Sequence, residues 1–242
     1  MAELVTAEAP ILPWPRILRQ QWVNLSFLHW AVDPESIAHL YPAGTEPDTF
    51  EGSSFVGVVP FQMKFFGMFL ETNVRLYSVD RTGRRGVVFL SLDTNRLDVV
   101  AAGRWIFGVP YRVARMDYRE QADRRIYTST VRWPAKSASS RVEVRVGDGL
   151  VAGPLEHFLT ARWGLHVARG GRTWYMPNEH PVWALRRAEL IGFDDDGLLA
   201  SVGLGELGKR PPDHVTFSDG VAARFGLPVR STTPRAIRPP RR

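Results

Sequence analysis

The sequence predicts an α+β domain dominated by antiparallel strands, and three observations carry that reading. Short runs rich in valine, phenylalanine and tyrosine recur along the chain between Gly, Pro and Asp turn residues. Several alternate polar with apolar positions, the period of a strand with one face toward a core. Sustained helical spacing is confined to residues 95–107, where Leu97, Val100, Ala101, Arg104 and Trp105 fall three and four apart. No Pro/Gly/Ser-rich linker divides the 242 residues internally. A single domain over residues 17–228 is therefore expected, with a flexible N-terminus at 1–16 and a disordered Arg/Pro-rich tail at 229–242.

In chain order, residues 23–32 read as a strand running into a short helix at 34–40, because Asp33 can cap it and Pro34 suits its first position. Pro42 and Gly44 end that helix. Strands follow at 54–65, 71–79 and 86–93, the last two joined by a hairpin around Gly83. Gly108 and Pro110 stop the helix at 95–107. Strands are next expected at 111–118, 125–133 and 141–146. In the last, Arg141, Glu143 and Arg145 alternate with three valines, giving one wet and one buried face. A short helix at 154–163 precedes strands at 165–168, 172–175, 182–191 and 215–217.

The formal net charge is +6, yet residues 229–242 alone hold five arginines and no acid. Without them 26 bases face 25 acids, so the body has no global basic field and neither a nucleic-acid nor a membrane partner is expected. The absence of cysteine removes disulfides, thiolate nucleophiles and thiolate metal sites in one step. The N-terminus carries early acids and Pro10, Pro13 and Pro15, where a signal peptide needs a basic start and an unbroken apolar run. No membrane-spanning stretch is visible, and a cytoplasmic location is expected. The sequence leaves the oligomeric state open, a homo-oligomer included.

Several motifs fail on inspection. Gly203, Gly205 and Gly208 match a dinucleotide pattern and nearly a phosphate loop, but Pro211 and Pro212 occupy the helical turn that both require. Asp194, Asp195 and Asp196 lack the alternating ligand spacing and distal glutamate of a calcium loop and read as a solvated turn. The six histidines include no pair at the spacing of a helical zinc site, and no serine-hydrolase elbow is present. No metal and no cofactor is expected.

One constellation survives. On the strand beginning at Glu71, alternation puts Glu71, Asn73, Arg75 and Tyr77 on one face. A solvent-facing sheet surface would account for such a row. The neighbouring run Val87-Val88-Phe89-Leu90 lacks alternation, however, as a strand buried on both faces does, so the row is expected to face a cavity. Trp22, Trp30, Phe61 and Tyr77 are candidate walls, each equally readable as ordinary core.

The segment from Ala102 to Ala114 resembles the acetoacetate decarboxylase family, in which a helix carrying Gly-Arg-Glu runs into a strand carrying Pro-Lys-Lys. The match covers Gly103, Arg104, Pro110 and Ala114, and upstream Glu71 falls where that family has its catalytic glutamate. With Trp22-Val-Asn24, His29-Trp30, Asp33-Pro34-Glu35, Glu71-Thr-Asn73-Val-Arg75 and Ser91-Leu-Asp93, residues 22–118 look like the uncharacterised YqjF-like branch of that superfamily. The resemblance implies a barrel-like or double-sheet fold around a central cavity. It also exposes a departure. Tyr111 stands where the family has its imine-forming lysine, Arg112 where it has that lysine's partner, and Trp105 where it has a glutamate. Imine chemistry requires a primary amine, which neither a phenol nor a guanidinium supplies. Only Lys64, Lys136 and Lys209 remain as lysines, two of them in loop-like sequence.

Two functions fit. In the first, the cavity binds a small carbonyl or carboxylate compound through Arg104, Arg112, Arg75, Asn73, His29 and Trp30. In the second, a cofactor-independent lyase or isomerase uses Tyr111 and Glu71 as an acid/base pair.

Overall fold

The structure, a computed structural model, describes residues 3–134 and 138–231. β1 (Arg16–Val32) runs into the short helix α1 (Pro34–Ile37), which Asp33 caps by accepting from the Glu35 N–H. β2 (Thr45–Pro47), β3 (Ser54–Lys64), β4 (Met68–Asp80) and β5 (Arg85–Thr94) follow. Then comes α2 (Leu97–Ala102), which widens into a π-turn over Gly103–Phe107. β6 (Tyr111–Gln121), β7 (Arg124–Trp133) and β8 (Ser139–Gly149) form a meander. After α3 (Pro154–Thr160) come the hairpin β9 (Gly164–Arg169) and β10 (Arg172–Glu179), then β11 (Leu185–Asp196), β12 (His214–Gly226) and β13 (Val229–Arg230).

The sheet closes on itself twice. Hydrogen bonding passes from β5 in parallel to β6, on through β7, β8, β11, β12, β1, β3 and β4, and back to β5. β9 and β10 also bridge β5 to β12, giving a second and smaller barrel that shares β12, β1, β3, β4 and β5 with the first. This shared wall is covered on both faces, which explains why β5 lacks alternation: Val88 packs into the first barrel and Val87 and Phe89 face the second. The first barrel is filled by Trp30, Val58, Leu76, Tyr127, Val144 and Phe217. The second holds a cavity.

A bulge in β1 decides which side chains reach that cavity. Leu18, Gln20 and Trp22 line it, Asn24 adopts φ 53°, and beyond it Leu25 lines the cavity while Leu28 and Trp30 turn into the first barrel. Gly220 permits this, since a Cβ there would lie 2.0 Å from the Trp22 carbonyl oxygen. Trp30, expected at the ligand, is instead core, its indole N–H donating to the Arg210 carbonyl at 3.1 Å.

Arg112 is corrected for a related reason. Neighbouring residues on β6 face opposite ways, so with Tyr111 lining the cavity Arg112 turns away and is buried against Asp93 (2.6 Å) and the Ser201 hydroxyl (2.7 Å). It ties β6 to β5. Other corrections are smaller. Glu143 is buried between Arg124 and Arg141 instead of solvated, and Asp194 to Asp196 end β11, with Gly197 bridged to Ser139 and the turn beginning at Leu198. β12 extends thirteen residues where sequence marks only 215–217.

The ends are also more engaged than expected. The Glu3 N–H donates to the Gly83 carbonyl, Arg85 to the Glu3 carbonyl, and Leu12 is buried. The sheet runs past residue 228, because β13 pairs with β10 and the Ser231 hydroxyl donates to Asp80 at 2.6 Å. Residues 232–242, most of the expected tail, lie outside the described residues.

Replacing Arg112 by leucine leaves Asp93 buried without its partner. Urea denaturation of Arg112→Leu is expected to show a loss of about 3 kcal/mol.

Candidate functional site

The cavity occupies about 220 Å³, and its walls are mostly apolar side chains from both ends of the chain, among them Trp22, Phe61, Phe89, Phe107, Met176 and Phe225. Besides Gln20 on β1, the polar groups lining it come from one row of β4 and from the start of β6. Glu71, Asn73 and Arg75 line it together, as their alternation predicts, and Tyr111 reaches in from β6.

Tyr111 and Glu71 meet directly. The phenol donates to Glu71 Oε2 at 2.9 Å, and the carboxyl is 3% exposed. Gly103 makes the approach possible, because a Cβ there would stand 2.3 Å from the Tyr111 ring. The π-turn thus lays its first residue flat against the ring. Burial pushes the Glu71 carboxyl up to about 7, outweighing the hydrogen bond from Tyr111 and the pull of Asn73 that favour its charged form. Burial, then the charge of Glu71, holds the Tyr111 phenol well above its ordinary range, so it remains a protonated donor. Beside them the Asn73 side-chain oxygen is buried with no hydrogen-bond partner among the described residues.

Arg75 lies further along β4. Its Nε and Nη2 donate to the Tyr77 hydroxyl at 3.2 and 3.0 Å, and Gly57 on β3 leaves room for its side chain. No carboxylate among the described residues pairs with it. Because Tyr77 accepts twice from Arg75, its own proton goes to His29 Nε2 at 2.7 Å, which leaves the imidazole proton on Nδ1. Burial and then the Arg75 charge push His29 well below its usual range, so the ring is neutral. His29 and Tyr77 therefore lie behind the cavity wall and hold Arg75, where sequence placed both at the cavity itself.

Arg104 does not join them. It is exposed on the π-turn, donates to the Tyr111 carbonyl at 2.7 Å and covers the Trp133 ring. No lysine among the described residues lines the cavity: Lys64 is exposed at the end of β3, Lys209 is exposed and paired with Glu206, and Lys136 lies outside those residues. The apolar walls on β10 and β12 went unseen in the sequence, although Val221, Ala223 and Phe225 alternate and were a readable signal. Ser78, His166 and Asp80 are also linked, at 2.8 and 3.6 Å, but Ser78 is fully buried and faces no cavity, so the set ties β4 to β9.

The fused barrels and their cavity define a protein with the acetoacetate decarboxylase-like fold. Solved structures similar to it include an acetoacetate decarboxylase-like enzyme from Sphingomonas wittichii RW1, with TM-score 0.62 and 12% identity, covering 89% of this chain and 93% of that one. Acetoacetate decarboxylase from Legionella pneumophila has TM-score 0.59 and 12% identity, covering 90% and 93%. The enduracididine biosynthesis enzyme MppR complexed with pyruvate has TM-score 0.59 and 14% identity, covering 92% and 93%. At these identities the likeness is one of fold. Residues 19–222 match the DUF2071 family of uncharacterised conserved proteins, and the chain belongs to that family. Its relative YqjF of Bacillus subtilis strain 168, described as uncharacterised, is 28% identical over 186 residues, 72% of this chain and 76% of that protein.

The raised Glu71 pKa makes a prediction with a definite sign. Between 4.5 and about 7 the folded state holds a proton that the unfolded state has released, so stability falls as pH rises through that window and is flat above it. Across it the protein is expected to lose about 3 kcal/mol relative to Glu71→Gln, read from the difference between their urea midpoints at pH 4.5 and 8.

Proposed function

We propose that the protein binds a small carbonyl or carboxylate compound in the second barrel, with Tyr111 and Glu71 as donors to its oxygen and Arg75 as counter-charge. The observation that carries this reading is the buried Tyr111–Glu71 pair, 2.9 Å apart in a mostly apolar cavity. A phenol and a half-protonated carboxyl present O–H donors to a carbonyl oxygen, and a guanidinium without a carboxylate partner favours a negative group. The volume of about 220 Å³ admits roughly seven water-sized groups, which suits a compound of metabolite size. The fold likeness to MppR complexed with pyruvate is consistent with this reading.

A second reading is favoured by the Glu71 carboxyl standing near 7. A group poised there accepts and returns a proton at neutral pH, while a Tyr111 donor stabilises negative charge developing on a carbonyl oxygen. Cofactor-independent isomerase or lyase chemistry follows from that pair. It proceeds without an imine, since the family's lysine position is Tyr111.

Native mass spectrometry of freshly purified protein is expected to show a co-purifying small molecule. Tyr111→Phe should weaken its binding about tenfold while the fold survives. Unchanged affinity in that variant and in Arg75→Met would sink the reading. If the bound compound exchanges carbon-bound hydrogen in D2O, and Glu71→Gln stops the exchange, the second reading takes first place. Borohydride with a keto acid is expected to leave no covalent adduct.

A further inference from the structure

The mouth of the cavity is marked by its half-buried lining residues Leu18 and Gln20 on β1, Phe65 after β3, and Ala102 and Phe107 around the helix. Beside them the rim turns apolar side chains outward. Phe66 is 85% exposed, Trp105 81%, Leu97 70%, Ile106 55% and Met68 48%. These residues belong to adjoining elements, for Arg96 donates to the Phe66 carbonyl and Arg169 to the carbonyls of Trp105 and Ile106. Large apolar groups gathered at one mouth are not the scattered exposure of an ordinary surface.

The charge around them has one sign. Arg19, Lys64, Arg104 and Arg169 are exposed on the same elements and pair with no carboxylate among the described residues. Segments 16–24, 64–68, 95–110 and 164–172 contain a single acid, Asp98, and Arg96 already pairs with it. The near balance of charge over the whole body conceals this asymmetry. Exposed Phe, Trp, Leu and Ile among unpaired Arg and Lys suit a surface of acyl chains beneath anionic headgroups. A second copy docked through the same patch would place like charges against one another about a two-fold axis.

We propose that this rim is a docking surface for anionic lipid membranes, with the Phe65–Met68 turn and the 97–107 helical segment dipping into the interface. Contact there is peripheral, and no helix among the described residues is long and apolar enough to cross a membrane. The docked orientation opens the apolar cavity toward the bilayer. The proposal stands apart from the ligand assignment above, because it rests on the rim alone.

Vesicle sedimentation with the full chain tests it. The protein is expected to bind phosphatidylcholine vesicles in which phosphatidylserine makes up about a third of the lipid, and not to bind pure phosphatidylcholine. Neutralising Arg19→Gln and Lys64→Gln together should lower the partition coefficient about 25-fold, roughly fivefold for each cation. Phe66→Ser with Trp105→Ser should abolish binding while circular dichroism is unchanged. Arg119→Gln, at the far end of β6, should have no effect. Undiminished binding in the rim variants would assign it to the arginines of residues 229–242 and overturn the proposal. So would a dimer seen by light scattering that Phe66→Ser dissociates, and so would absence of binding to either vesicle.

Discussion

A strand wall covered on both faces has no solvent side, so every polar group on it must find its partner inside the protein. The five strands shared by the two barrels are such a wall, and much of the architecture of the site follows from settling their polar side chains. Ser26 donates to the Tyr127 hydroxyl in the filled barrel. On the cavity side, Arg75, Tyr77 and His29 are linked in a chain whose donor order is fixed by the arginine, and the His29 Nδ1 at its end has no partner among the described residues. Glu71 receives Tyr111. The buried side-chain atoms on these strands with no partner among the described residues are those of His29, Ser54, Asn73, Ser91, Thr94, His214 and Thr216, and of these residues Asn73 lines the cavity.

Much of this was legible in sequence because strands impose a strict period. Alternation placed Glu71, Asn73 and Arg75 on one face, and the unbroken apolar run beside them showed that this face was not wet. Where sequence reasoning failed, the period had been broken or overlooked. Trp30 was assigned to the cavity because nothing in the sequence announces that Asn24 takes a left-handed conformation and shifts β1 by one residue. Arg104 was misplaced because a π-turn rotates its residues away from α-helical spacing. Arg112 could have been excluded by parity alone, since adjacent positions of a strand cannot both face one cavity. β12 was read as a short strand because Gly220, Ala222, Ala223 and Gly226 have low strand propensity. Its length is imposed by pairing with β1 along almost its whole course.

Tyr111 is the substitution that gives the site its character. The lysine implied at this position by the family resemblance would bring a positive charge beside Glu71 and favour the ionised carboxylate. A phenol brings none. Burial is then opposed only by neutral donors, and the carboxyl moves up to about 7. Replacing the amine therefore changes two groups at once: it removes the nucleophile and converts its neighbour from a fixed anion into a titratable acid. Gly103, a position this chain shares with that family, leaves the space the flat ring needs.

The order of these groups along β4 adds a direction. The strand starts at Met68, beside the cavity mouth, so Glu71 stands about 10 Å along it and Arg75 about 13 Å further. Along the cavity wall the Tyr111–Glu71 pair therefore stands nearer the mouth and Arg75 deeper. Asn73 stands between them on the same row, and the walls facing the row are mostly apolar. For the ligand proposed above, that order suits an anionic end held at Arg75 and an uncharged polar group beside Tyr111.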